Sequence, residues 1–87
     1  MIGYLYILLT KGNHYYTGST KDLNRRLLEH RNGKTISLKK LLPVKLVFYK
    51  KYNNIKLARQ VEVKLKKFKN KKIIEQIITE QDITLGL

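Results

Sequence analysis

Cysteine and tryptophan are both absent from this chain of 87 residues. The lack of cysteine excludes a disulfide scaffold, a cysteine-ligated zinc site and a cysteine nucleophile. Long apolar runs are missing as well, because the longest covers only residues 4–9, whereas a helix that spans a bilayer needs about 20 residues. Since no cationic region precedes this short apolar start, we expect a cytoplasmic protein without a signal peptide or a membrane partner.

Acidic residues are scarce, with 6 Asp and Glu against 19 Lys and Arg, which gives a formal net charge of +13. A chain of this length predicts a single domain, which we place at residues 1–80, followed by a C-terminal tail over residues 81–87. The apolar fraction of 43% is too high for a disordered chain. A basic domain of this kind is expected to bind a polyanion, most simply nucleic acid, as a monomer or a weak homodimer.

The chain begins with two predicted strands, residues 4–9 and 15–18, which together form a β-hairpin. A helix is expected over residues 23–31, capped at its start by Ser19 or Thr20. The buried positions of this helix are predicted from their spacing of four residues, and they are Leu23 and Leu27.

One more strand and two more helices are predicted in the rest of the chain. Residues 34–43 form a basic loop or at most an irregular helix, and residues 45–52 form the third strand, whose centre at 46–49 should be well buried. Helices follow over residues 55–69 and 71–80. The order β-β-α-β-α-α predicts an α+β fold in which a three-stranded antiparallel sheet is flanked by helices.

Two pairs of polar side chains could carry chemistry. Tyr6 and Tyr16 could face each other across the hairpin, and near a metal two phenols could position or deprotonate a water molecule. Tyrosine is also an ordinary strand residue, so a structural role stays open. Arg26 and His30 project from neighbouring turns of one helical face, which suits a phosphodiester. A solvated polar face is the alternative for that pair.

Glu62 is unusual because it lies beside an apolar stripe of the second long helix. The predicted members of that stripe are Ala58, Val61, Leu65 and Phe68. A carboxylate in this position is costly unless it is paired or binds a cation, and Mg²⁺ takes oxygen ligands that often include one or two carboxylates. The alternative is an ion pair with Lys66, four residues later.

Clustered lysines provide the predicted nucleic-acid contacts. They are Lys34, Lys39 and Lys40 in the basic segment, and Lys64, Lys66, Lys67 and Lys69 along the second long helix. Contacts of this type give salt-sensitive affinity without sequence preference, although a solvated helix face has the same pattern. The chain has no helix-turn-helix or zinc finger that would distinguish one base from another.

Five segments carry recognisable motifs in order: residues 4–8 (YLYIL), 15–20 (YYTGST), 22–30 (DLNRRLLEH), 42–47 (LPVKLV) and 62–68 (EVKLKKF). Together they resemble the GIY-YIG nuclease superfamily, and in particular its small stand-alone bacterial proteins, which are related to the nuclease domain of the excision-repair incision subunit. The positions that match the motif residues of the family are Tyr6, Tyr16, Gly18, Arg26, His30 and Glu62.

This resemblance implies a GIY-YIG endonuclease-like fold and hydrolysis of DNA phosphodiester bonds, in DNA repair or processing, with one divalent metal, Mg²⁺ or Mn²⁺. It implies that Glu62 holds the metal, and that one of Tyr6 and Tyr16 is the general base while the other orients the water. Arg26 then neutralises the transition-state phosphate, and His30 supports the water or the phosphate. The DNA partner could be branched or single-stranded.

The chain also departs from the family pattern. Tyr4 and Leu5 stand where the first motif has Gly-Ile, and Val61 stands where an arginine often precedes the metal-binding glutamate. The asparagine of larger members has no counterpart, since Asn70 is predicted to cap the last helix. Larger members carry appended DNA-binding domains, which are not found in these residues. The alternative function is therefore a non-catalytic basic nucleic-acid-binding module with a nuclease-like fold.

Overall fold

A computed structural model describes residues 1–68 and 70–83 of the chain. Its sheet has three antiparallel strands in the order β2-β1-β3, namely β1 (Gly3–Leu9), β2 (Tyr15–Thr20) and β3 (Lys45–Tyr52). The helices in the described residues are α1 (Leu23–Arg31), α2 (Ile36–Lys39), α3 (Ile55–Phe68) and α4 (Lys71–Glu80). The predicted α+β fold is confirmed, and α2 is a short helix inside the segment that was expected to be a basic loop or an irregular helix.

Strand β1 lies at the centre of the fold, and its side chains alternate between two cores. Leu5 and Ile7 belong to the core that contains α3 and α4. The other buried members of that core are Phe48, Val61, Leu65, Ile74 and Ile77. Tyr6 and Leu8 point to the opposite face, where they pack with Leu27 of α1. Burial of both faces explains why this strand is a continuous apolar run rather than an alternating one.

The start of α1 differs from the prediction, because β2 continues through Thr20 and leaves neither Ser19 nor Thr20 free to cap the helix. Asp22 is the N-cap instead, and its carboxylate accepts a hydrogen bond of 3.1 Å from the backbone N–H three residues later. The predicted cap of the last helix is confirmed, since the Asn70 side chain accepts from the backbone N–H of Lys72 at 2.9 Å.

Two predictions about the core are wrong. The centre of β3 is not buried throughout, because β3 is an edge strand; Phe48 is buried, whereas Tyr49 is 56% exposed. Phe68 is 46% exposed, because it is the last residue of α3 and the packed stripe has shifted toward the start of the helix. Ile55, at the opposite end of α3, takes its place in the core.

Helix α4 ends at Glu80, as predicted, and Gln81 follows in a left-handed conformation. The last four residues of the predicted tail, 84–87, lie outside the described residues. Of the helices that the structure describes, none has the length and apolar content needed to cross a membrane.

Candidate active site

The candidate site is built around Tyr6, whose side chain reaches over the outer strand of the sheet. Tyr6 on β1 pairs directly with Gly18 on β2, and the tyrosine is almost fully buried. A Cβ atom placed on Gly18 would lie 2.5 Å from Cζ of the Tyr6 ring, which is closer than two carbon atoms can approach. Gly18 is therefore needed for close approach, because only a residue without a side chain lets the phenol extend across β2.

We expect Gly18→Ala to lower the free energy of unfolding by about 1–3 kcal/mol, because the added methyl group overpacks a filled space. Urea unfolding measures this loss. In a Tyr6→Phe background the loss should be smaller, because the hydroxyl is one of the atoms that the methyl group meets. Equal stability of Gly18→Ala and the parent protein would show that this contact does not constrain the tyrosine.

A buried chain of hydrogen bonds extends from Tyr6. The hydroxyl of Tyr6 lies 2.7 Å from Nε2 of His30, and Nδ1 of His30 lies 2.6 Å from Oγ1 of Thr35. His30 comes from α1 and is fully buried, whereas Thr35 is the residue that precedes α2. Thr35 could not be predicted as a site residue, because nothing in the spacing of these residues connects the start of α2 with the last turn of α1.

The two titratable side chains in this series of hydrogen bonds, Tyr6 and His30, are both neutral at pH 7. Burial raises the pKa of the Tyr6 hydroxyl to about 12, although the neighbouring Arg26 partly opposes this effect. Burial and, secondarily, the charge of Arg26 lower the pKa of His30. A phenol is a stronger donor than acceptor, so Tyr6 donates to Nε2 of His30 and the Nδ1–H group donates to Thr35.

The lowered pKa of His30 predicts a pH-dependent stability. The unfolded chain binds more protons than the folded protein between the lowered pKa and the ordinary value of about 6.5, so the free energy of unfolding should fall as pH decreases through this window. Urea unfolding at pH values above and below the window measures the effect. His30→Gln should remove this part of the dependence, and His14→Gln, at an exposed histidine, should retain it. The same dependence in wild type and His30→Gln would contradict the assignment.

Arg26 and Tyr16 complete the surroundings of the buried pair. Arg26 donates to Glu29 at 3.1 Å and keeps about a third of its side chain (36%) exposed, so its charge is accessible to a phosphate. The ring of Tyr16 meets His30 edge-on with 5.5 Å between the ring centroids. The two predicted tyrosines therefore both contact His30, but the hydroxyl hydrogen bond belongs to Tyr6.

Glu62, on α3, contacts β2 from the opposite face of the sheet. Its Oε1 atom accepts a hydrogen bond from the Ser19 hydroxyl, and Oε2 lies 2.6 Å from Nζ of Lys66. The ion pair that was the alternative for Glu62 is therefore present, and the Glu62 side chain is 19% exposed. Its charge also acts on Tyr6 and contributes to the raised pKa of that hydroxyl.

A divalent metal at this place would have one carboxylate ligand. Within residues 1–68 and 70–83, no group of three His, Cys, Asp or Glu residues is arranged to hold a metal ion. Mg²⁺ often uses one or two carboxylates, with waters and substrate phosphate oxygens as its other ligands. Glu62, with the Ser19 hydroxyl beside it, fits that chemistry once the half-exposed amine of Lys66 moves away.

The predicted DNA-contacting lysines fall into separate groups. Lys34, Lys39 and Lys40 are all exposed: the first directly precedes Thr35, the second is the last residue of α2 and the third follows it. On α3, Lys66 faces the site. Lys64 and Lys67 line a different surface together with Arg59 and Val63. Lys69 lies outside the described residues.

Comparison with known proteins identifies the family to which the chain belongs. The model of the GIY-YIG catalytic domain matches residues 2–75. A UPF0213 protein of Staphylococcus saprophyticus is 32% identical over 75 residues, which cover 85% of this chain and 92% of the relative. The UPF0213 protein YazA of Bacillus subtilis is 34% identical, over 79% of this chain and 71% of the relative.

Solved structures provide an independent comparison. The solution NMR structure of a UPF0213 protein from Bacillus halodurans is 30% identical and superimposes with a TM-score of 0.61, covering 93% of this chain and 86% of that one. The family match spans all the strands, and it includes Tyr6, Tyr16, Arg26, His30 and Glu62. The chain therefore belongs to the GIY-YIG family.

Proposed function

We propose that this protein is a divalent-metal-dependent endonuclease that hydrolyses DNA phosphodiester bonds during DNA repair or processing. The observation that carries the proposal is the buried Tyr6–His30–Thr35 chain, with hydrogen bonds of 2.7 and 2.6 Å. A surface that only attracts phosphates needs exposed cations rather than a buried phenol–imidazole pair. Such a pair is suited to moving a proton.

The protonation states favour a relay through Tyr6. Because its pKa is raised to about 12, the hydroxyl is not ionised in advance. It accepts a proton from the attacking water while it passes its own proton to Nε2 of His30. His30 then carries the positive charge, and its Nδ1–H group remains hydrogen-bonded to Thr35. Tyr16, whose ring packs against His30, orients the water.

Positive charge on two sides of β2 would neutralise the negative charge that develops on the phosphate. Arg26 lies beside the Tyr6 hydroxyl and supplies a planar cation that can donate to two phosphate oxygens. On the other side, Glu62 and the Ser19 hydroxyl would hold Mg²⁺ or Mn²⁺. When bound, the metal supplies positive charge for the phosphate and the leaving oxygen.

Cleavage of defined DNA substrates tests this proposal. Purified protein is incubated with supercoiled plasmid, single-stranded DNA and branched DNA in Mg²⁺, Mn²⁺ or EDTA. We expect cleavage in the presence of either metal and none in EDTA. Tight, salt-sensitive binding without cleavage of any substrate would contradict the proposal and would favour the non-catalytic nucleic-acid-binding module.

Thr35→Val should lower the cleavage rate by about tenfold or more, because His30 loses the partner that fixes its tautomer. Thr35 is a positioning residue in this account, since it acts through His30. Its loss should therefore also change the acid side of the pH–rate profile. Thr35→Ser retains a hydroxyl and should restore both the rate and the profile. A valine variant with the wild-type rate and profile would exclude this role.

A further inference from the structure

A groove lies beside the candidate active site, between the outer edge of β2 and the junction of α3 and α4. We call it the β2 groove, and its volume is about 340 Å³. The residues that matter for its chemistry are His14, Tyr15, Tyr16, Lys66, Asn70 and Lys71. This volume is at the small end of the range for sites that bind small molecules.

The β2 groove combines an apolar floor with a cationic rim. Leu65 and Ile74 form part of the floor. At the rim, the amine of Lys71 lies 5.8 Å from the centre of the Tyr15 ring, and that of Lys66 lies 6.0 Å from the Tyr16 ring. An aromatic ring next to an ammonium group suits a nucleotide, because the base stacks on the ring while the phosphate pairs with the cation.

The β2 groove is continuous with the candidate active site. Tyr16 lines the groove and also packs against His30. Lys66 lines the groove and also pairs with Glu62. A DNA strand bound at the candidate site would therefore reach the groove across Tyr16 and Lys66, the two side chains that both sites share.

We propose that the β2 groove binds an unpaired nucleotide next to the cleaved bond, so that the protein selects DNA with a single-stranded segment over continuous duplex. A base that is paired in a duplex cannot enter a groove and stack on Tyr15 without first leaving its partner. The location of the cleaved bond rests on the proposed function, whereas binding of the unpaired nucleotide does not.

Binding in EDTA tests this inference without any cleavage. Fluorescence anisotropy with a short labelled oligothymidylate, and with a duplex of the same length, gives Kd for each. Lys71→Ala should weaken single-strand binding by about fivefold and lower the salt slope by about 0.7, the value for one lost phosphate contact. Lys72→Ala removes the same charge from the adjacent exposed position, which does not line the groove, and should change Kd by less than about twofold.

The aromatic contact is tested separately. Tyr15→Leu retains an apolar side chain but removes the ring, and we expect about tenfold weaker binding of the oligothymidylate with little change for the duplex. NMR spectra of the wild-type protein should show shifts of His14 and Tyr15 as the oligonucleotide is added. Equal effects of Lys71→Ala and Lys72→Ala, or unshifted His14 and Tyr15 resonances at saturation, would overturn the inference.

The two proposals can fail independently. Single-strand binding that depends on Lys71 and Tyr15, in a protein that cleaves no DNA, would support the β2 groove and contradict the nuclease. Metal-dependent cleavage that is unaffected by Tyr15→Leu, at equal rates for duplex and single-stranded DNA, would support the nuclease and overturn the groove.

Discussion

Replacing Glu62 with glutamine should lower the rate of metal-dependent DNA cleavage by about 10³-fold or more, because in the proposed function Glu62 supplies the carboxylate charge that holds the metal. Glutamine has nearly the same shape, and its amide oxygen can still accept the hydrogen bond from Ser19. We therefore expect a folded protein. Single-turnover cleavage with excess protein measures the rate.

The DNA affinity of the Glu62→Gln protein shows whether it has lost only metal binding or has also lost its fold. The substitution releases Lys66 from its ion pair, so DNA binding in EDTA should be unchanged or tighter. Glu75→Gln makes the same change of charge on an exposed face of α4 and should retain full activity. Cleavage by Glu62→Gln at the wild-type rate would mean that Glu62 does not hold the metal.

The second large effect is expected for Tyr6→Phe, which should reduce cleavage by about 10²- to 10⁴-fold, the usual range for a general base. The substitution removes only the hydroxyl that lies 2.7 Å from Nε2 of His30. It should cost about 1–3 kcal/mol of stability, because the buried nitrogen of His30 is left without its partner. The protein is expected to remain folded, and circular dichroism and urea unfolding check this.

Tyr49→Phe is the matched control for Tyr6→Phe. Tyr49 pairs directly with Tyr6 from β3, but it is 56% exposed and lies outside the hydrogen-bonded chain. This variant should cleave at the wild-type rate. If Tyr16→Phe abolished cleavage while Tyr6→Phe left the rate unchanged, the general base would be Tyr16 and the relay through His30 would be excluded.

The sheet and its central strand could be predicted from the sequence because the signals are local. The apolar run of β1 and the aromatic residues of β2 indicate strands by themselves, and the turn between them specifies the hairpin. The register itself was not predicted: Tyr6 pairs with Gly18 and Tyr16 pairs with Leu8, so the two tyrosines do not lie directly opposite each other as the hairpin prediction had suggested. The wrong cap of α1 has a local cause as well, because a strand that continues through Thr20 leaves only Asp22 free at the helix start.

The rest of the site depends on contacts between residues far apart in the chain. Ser19 and Glu62 are separated by 43 positions, and their contact is set by how α3 lies on the sheet. The same geometry decides which lysines face the site. Lys66 faces the site and Lys64 does not. This difference depends on how α3 is rotated about its own axis, and the spacing of the lysines alone does not predict that rotation.

The most direct test of the central claim, that a divalent metal is held at Glu62 next to the Tyr6–His30 pair, is paramagnetic broadening of NMR signals by Mn²⁺. Increasing amounts of Mn²⁺ are added to wild-type and Glu62→Gln proteins without DNA. We predict that broadening in the wild-type protein centres on Glu62, Ser19 and Tyr6, and that it disappears in the variant. Broadening centred on another carboxylate, such as Glu75, or identical in both proteins, would contradict the account.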